Sequence, residues 1–172
     1  MPGDRDDPLN EPITFRPIGH VRGGPREVVD DYWGDVESAI ELVPGLPAAC
    51  LDGIDAFSHA EILFFFDRPD PVPATFTRHP RNNPAWPRVG IFAERSKRRP
   101  NRIGLTIVRI ARREGNMLHV IGLDAVDGTP VLDIKPVMEE FLTRGEVRQP
   151  AWAREMMRDY WRPARERPPG KA

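Results

Sequence analysis

Apolar residues in this chain come in short bursts separated by turn-forming residues, and most bursts are too short for helices. Residues 14–21 (TFRPIGHV) predict a strand that Pro17 confines to an edge or a bulge. Residues 38–43 predict a second strand, ended by Pro44 and Pro47, and residues 51–57 (LDGIDAF) a turn or a single helical turn. The run 60–66 (AEILFFF) is continuously apolar and carries three phenylalanines, which predicts a central strand covered on both faces. Further strands are expected at 88–93, 103–110 and 117–122. In the second of these Ile103, Leu105, Ile107 and Ile110 are apolar, and Thr106 and Arg109 alternate with part of that set. Glu114-Gly115-Asn116 and Asp127-Gly128 read as hairpin turns, the latter leading into 130–134 (PVLDI).

Helical spacing shows at the C-terminus. Pro150 suits a first turn, and Trp152, Met156 and Tyr160 fall at i, i+4 and i+8 with Ala153, Met157 and Trp161 beside them. The expected fold is therefore mainly β: a single small β-barrel of about six to seven strands with a C-terminal α-helix and long loops. The expected organisation is a disordered tail at 1–12, the barrel domain at 13–145, an amphipathic helix at 146–162 and a disordered tail at 163–172.

Composition sharpens this picture. The chain has 20 prolines in 172 residues, more than twice the usual share, and they gather in the segments read as loops and tails. Residues 23–35 (GGPREVVDDYWGD) form a turn-rich acidic stretch, and residues 67–87 a long loop of a length that is uncommon unless functional or disordered. A net charge of −1 gives no global attraction for nucleic acid, so any such contact must come from a local basic patch. One cysteine, Cys50, excludes an internal disulfide and fits a reducing compartment. With no apolar leader in the first residues and no run near the roughly 18 residues that span a bilayer, a cytoplasmic protein without membrane contact is expected. No metal site is expected, because His20, His59, His79 and His119 are scattered without ligand spacing. GxSxG and P-loop patterns are absent.

Two stretches carry candidate chemistry. From Gly90 the chain reads GIFAERSKRRPNRIGL, with Arg95, Lys97, Arg98, Arg99 and Arg102 among turn formers. A basic loop between apolar strands can hold a carboxylate, a phosphate or an acidic surface, or can simply be solvated. From Gly122 it reads GLDAVDGTPVLDIKP, which sets three carboxylates and a lysine around a glycine turn. Such a turn can cradle a diol or an amine, or its aspartates can satisfy their own backbone.

Taken together these stretches resemble the TrmO family, also described as TsaA-like or VirR-like, whose signature is close to GVFATRSPxRPNPIG followed by GLDxxDGTPVLDIKPY. Phe92, Ala93, Arg95, Ser96, Arg99, Pro100, Asn101, Ile103 and Gly104 match the first motif. Leu123, Asp124, Asp127 through Pro130, and Asp133 through Pro136 match the second. Ile18-Gly19 and the segment 53–59 match two shorter upstream elements, so the resemblance covers residues 14–137.

The resemblance implies an S-adenosylmethionine-dependent methyltransferase on a β-barrel, commonly a homodimer. Its best-characterised members methylate the exocyclic nitrogen of threonylcarbamoyl-adenosine beside the tRNA anticodon. The cofactor-binding positions it implies are Arg95, Leu123, Asp127, Gly128, Thr129, Pro130, Phe66 and Asp67, together with the region of Tyr32 and Trp33. Tyr32 or Trp33 can stack on adenine, and packing is an equal alternative for Trp33. Arg99, Asn101, Arg102 and Lys135 are the substrate-binding candidates. Departures fall at Asp67, where histidine is usual, and at Glu94, Lys97, Arg102 and Val137.

Methyl transfer from a sulfonium chiefly needs in-line positioning, and a nitrogen acceptor must also lose a proton. Asp133, Asp67 and His59 are base candidates by chemistry alone, His59 having a structural role as its alternative. Three functions stand beside one another: methylation of tRNA, methylation of a small metabolite, and a non-catalytic binding module. The loop 67–87, with Arg68, Arg78, His79, Arg81, Phe76 and Trp86, suits single-stranded RNA or serves as a proline-rich lid.

Overall fold

The computed structural model describes residues 12–68 and 76–168. Six strands close into a barrel in the order β1-β2-β7-β6-β3-β8. They are β1 (Gly19–Arg22), β2 (Glu37–Leu42), β3 (His59–Phe65), β6 (Ile103–Glu114), β7 (Met117–Ile121) and β8 (Pro130–Pro136). All neighbours are antiparallel, and β8 completes the ring by pairing with β3 on one side and β1 on the other. Two short strands, β4 (Thr77–Arg78) and β5 (Val89–Gly90), form a separate ribbon. The mainly β barrel is thus present, with little helix.

The interior follows the period of two that a strand imposes. Val21, Ile40, Ile62, Phe64, Val108, Leu118, Val120 and Val131 are all at most 1% exposed and fill it. The run 60–66 differs from its expectation. Ala60, Ile62 and Phe64 point inward, whereas Glu61, Leu63 and Phe65 are half-buried on the outside, because a single closed barrel has only one dry face. β6 departs more sharply. Its buried residues are Gly104, Thr106 and Val108, while Leu105 and Ile107 face solvent at 39% and 46% exposure. Register with β3, Gly104 opposite Phe64 and Thr106 opposite Ile62, fixes this phase.

Three further boundaries differ. Segment 88–93 contributes only the two residues of β5, and Ile91–Ala93 turn as a 3-10 helix. Helix α1 covers Ala151–Met156 and not 146–162. After it the chain turns, and the carbonyls of Asp159, Tyr160 and Arg162 accept bonds from the N–H groups of Tyr32, Trp33 and Gly34. Part of the expected 163–172 tail is ordered: Ala164–Glu166 form a 3-10 turn, and the N–H of Ala164 donates to Asp35. The expected tail at 1–11, loop residues 69–75 and the end at 169–172 lie outside the described residues.

Gly104 is glycine for a steric reason. A Cβ there would sit 2.4 Å from the Phe64 ring, which fills the barrel at that level. Gly104→Ala is expected to destabilise the fold by about 1–3 kcal/mol through overpacking. Combination with Phe64→Leu should recover part of that loss, and chemical denaturation of the two single variants and the double variant checks this non-additivity.

Candidate active site at one mouth of the barrel

Antiparallel register brings three connections to the same end. The β1–β2 loop (residues 23–36), the β3–β6 connection (66–102) and the β7–β8 loop (122–129) all open there. The opposite end carries residues 43–58, the turn between β6 and β7, and the exit of β8.

The corner 127–130 is tied into the β1 side. Gly128 N–H donates to Val21 O at 2.8 Å, and Asp127 N–H to Pro25 O at 2.9 Å. Gly23 N–H donates to the Asp127 carboxylate at 3.0 Å, and Thr129 is buried. Arg68 donates one nitrogen to Asp127 O at 2.6 Å and another to Arg26 O at 2.7 Å, so the β3–β6 connection holds the other two loops together. Phe66, just before it, meets Phe64 edge-on at 5.1 Å, and its N–H donates to Arg102 O. Asp67 is exposed beside these groups.

Deeper in the mouth, Leu123 is fully buried, and the Asp124 carboxylate accepts from the hydroxyls of Thr106 on β6 and Tyr160 in the C-terminal segment. Arg95 is exposed, donates to Leu105 O at 2.5 Å and lies near enough to Tyr160 to act on it electrostatically. Tyr32 and Trp33 are buried at 6% and 3% exposure, and Tyr32 has a left-handed φ of 70°. The strained segment is braced by Arg81, which donates to both oxygens of the buried Asp31 at 2.7 and 2.9 Å and to Asp30 O. Burial pulls the Arg81 pKa down, but the hydrogen bond and charge of Asp31 more than offset it and hold the guanidinium charged.

Other predicted residues lie apart. His59 starts β3 at the opposite end, with its ring on Ser58 and its carbonyl accepting from Val137 N–H. Asp133 pairs in register with the outward Leu63. One of its oxygens takes Lys135 Nζ at 2.6 Å and the other takes Ile134 N–H. The hydrogen bond and charge of Asp133 raise the Lys135 pKa in turn. Arg99, Asn101 and Arg102 sit on the turn before β6, Arg102 stacking over Phe65 at 4.5 Å. No cluster of three metal-ligating side chains occurs among the described residues.

Sequence reasoning missed Tyr160, whose helical spacing filed it with the apolar face, and Thr106, read only as a polar alternation. It also missed Ser38. That residue shares the inward phase of Ile40 and Leu42 at the mouth end of β2, and its buried hydroxyl has no partner among the described residues. A hollow of about 380 Å³ opens beside the mouth segment, lined by Phe76, Gly90, Ile91, Phe92, Ala93 and Pro100.

Residues 21–142 match the family model for the tRNA-methyltransferase O N-terminal domain. A Pyrococcus abyssi protein named "Probable S-adenosyl-L-methionine-binding protein" is 34% identical over 141 residues, covering 79% of this chain and 74% of its own. The human tRNA (adenine(37)-N6)-methyltransferase is 39% identical over 105 residues, 60% of this chain but 23% of the human one. The crystal structure of TrmO from Pseudomonas aeruginosa superposes with a TM-score of 0.65 at 28% identity, covering 80% of this chain and 62% of that chain. The match therefore spans about a quarter of the human protein and less than two thirds of the bacterial one.

Burial, followed by the charge and hydrogen bond of Asp124, pushes the Tyr160 phenol well above its ordinary range, while Arg95 and Arg81 pull the other way. The neutral phenol is therefore the folded-state species. Its contribution to stability is complete below the unfolded value of about 10 and is lost as pH rises beyond it. The chain has two tyrosines, so Tyr32→Phe isolates this one. Its absorbance should show no tyrosinate up to about pH 11 and then ionise together with unfolding. Ionisation at an ordinary pH in the folded chain would contradict the Asp124 contact.

Proposed function

This chain belongs to the tRNA-methyltransferase O N-terminal domain family, and on that premise we propose that it is an S-adenosylmethionine-dependent N-methyltransferase acting on threonylcarbamoyl-adenosine beside a tRNA anticodon. The observation that carries the reading is the convergence of its two motif loops, with the end of β3, on one barrel mouth tied by Arg68.

The donor set suits the cofactor. Arg95 is an exposed cation for a carboxylate, Asp67 an exposed acceptor for an ammonium or a diol, and Ser38 an unpartnered buried hydroxyl. Leu123 and the corner 127–130 form the wall behind them, and Phe66 adds apolar surface. Tyr32 and Trp33 support this wall from behind, since their burial leaves little face for stacking. When bound, S-adenosylmethionine supplies an electrophilic methyl group. The protein's work is to orient the acceptor nitrogen in line and to exclude water. Asp67 is the base we assign for the acceptor proton, because Asp133 is engaged by Lys135 and His59 lies at the far end.

The acceptor assignment is supported by the apolar hollow. Phe76 and Phe92 are 58% and 77% exposed at its edge, close in sequence to Arg88, Arg95 and Arg99. Exposed aromatics among cations are the usual platform for an unstacked base. Engagement of Arg68, Arg78 and Arg81 by protein oxygens favours the second reading, a small-molecule acceptor. A homodimer in the cytoplasm completes the proposal, with outward Leu105 and Ile107 as surface that self-association would cover.

Calorimetry should detect saturable S-adenosylmethionine binding, weakened about tenfold or more in Arg95→Ala, the usual scale for losing a charged hydrogen bond. Unchanged affinity in that variant would remove Arg95 from the site, and no binding by the wild type would leave a non-catalytic module. Incubation with threonine tRNA and isotopically labelled cofactor should give a labelled, methylated threonylcarbamoyl-adenosine by mass spectrometry. Label confined to small molecules in a cell extract would favour the metabolite reading. Sedimentation should show a dimer that Leu105→Asp with Ile107→Asp dissociates.

A further inference from the structure

The C-terminal segment 151–166 follows the family match and returns to the mouth after β8 has left the barrel at the opposite end. It is seated by main-chain bonds: Tyr32, Trp33 and Gly34 donate to the carbonyls of Asp159, Tyr160 and Arg162 at 3.2, 2.8 and 3.2 Å. A Cβ on Gly34 would lie 2.0 Å from the carbonyl oxygen of Trp161, so this close approach requires glycine. Trp86 Nε1–H donates to Glu155 at 3.1 Å, and Asp35 holds Ala164 N–H and faces Arg165. From this seat Tyr160, its ring edge-on to Trp161 at 4.9 Å, donates its hydroxyl to Asp124 in the β7–β8 loop.

We propose that Tyr160 is a positioning residue that clamps the β1–β2 loop to the β7–β8 loop through Asp124, making the C-terminal segment an integral wall of the cofactor site. The cofactor part of this rests on the proposed function; the clamp itself does not. The two loops it joins carry Tyr32 and Trp33 on one side and Leu123 with the corner 127–130 on the other. Asp124 has one oxygen on Thr106 and one on Tyr160, so the barrel and the strap fix it jointly. A carboxylate held by two neutral hydroxyls has a set direction. Loss of either donor frees it to rotate, and the loop behind it loosens.

Tyr160→Phe in the full chain removes only the hydroxyl. Amide hydrogen exchange of the ligand-free protein should then rise in 31–36 and in 122–129 but not in β2. S-adenosylmethionine affinity should fall about tenfold, on the scale of a hydrogen bond to a charged group. Thr106→Val should act in the same direction, and the double variant should fall short of the product of the two effects. Glu155→Ala, which removes the acceptor of the Trp86 Nε1–H bond and leaves Asp124 alone, should keep wild-type affinity. Unchanged exchange in both loops, affinity within twofold of wild type, or equal loss in Glu155→Ala would each overturn the proposal. Should Tyr160→Phe fail to fold, Asp124→Ala, which removes both acceptor oxygens, reads the same link, and unchanged exchange and affinity there would overturn it too. A wild-type chain that binds no cofactor while exchange still rises in both loops would overturn the cofactor reading and leave the clamp standing.

Discussion

Closure of the sheet depends on its shortest seam. β8 pairs with β3 over five register positions but with β1 over only two, Gly19 with Val131 and His20 with Pro130. The seam is lengthened by bonds outside the strands: Ile18 N–H to Val131 O at 2.8 Å, Val21 N–H to Thr129 O at 3.0 Å and Gly128 N–H to Val21 O at 2.8 Å. The last two belong to the Asp-Gly-Thr-Pro corner. The corner that the motif marks as chemical is therefore also the latch of the barrel: its amides go to β1, to Pro25 of the β1–β2 loop and to its own turn at Val126. Under the proposed function, what it offers a ligand is shape and fixed dipoles, and the exposed charge comes from Arg95 and Asp67.

Much of this was legible before coordinates. The turn at 114–116, the turn at 127–128 and the strands flanking them follow from glycine and alternation. The phase of β6 was not. Ile103, Leu105 and Ile107 look like a core face by composition, yet Gly104, Thr106 and Val108 are the buried set. The reason lies outside the strand: Phe64 from β3 occupies the space opposite Gly104, and Thr106 is needed inward for Asp124. Neither fact can be read from β6 alone. Likewise the period of 3.6 in 151–161 suggested one long helix, but the helix ends at Met156 and the carbonyls beyond it serve the β1–β2 loop. Contacts distant in sequence, not local propensity, set the phase of β6.

Glu94 shows how a departure from a familiar motif is absorbed. Its side chain is 4% exposed, where an unpaired carboxylate would be costly, and Arg78 of β4 donates to it at 2.5 Å while also reaching Ser96. The residue that looked like a change at a binding rim is thus the anchor of the β4–β5 ribbon, and the ribbon in turn shapes the hollow between Phe76 and Pro100. The carboxylate at this motif position is satisfied by a partner sixteen residues earlier.

The same logic revises what the arginines mean. Counted along the chain they suggest a phosphate-binding surface. In the fold Arg68 joins Asp127 O to Arg26 O, Arg78 serves Glu94, Arg81 serves Asp31 and Arg88 serves Thr77. A guanidinium with its fork already filled by protein oxygens has few donors left for phosphate, although its charge persists. Under the proposed function, then, recognition of an acceptor relies less on counting phosphates than on fitting one base into an apolar hollow edged by Phe76 and Phe92. That division suits a modified nucleoside in a single-stranded loop, where the base has no pairing partner and costs less to draw into a pocket.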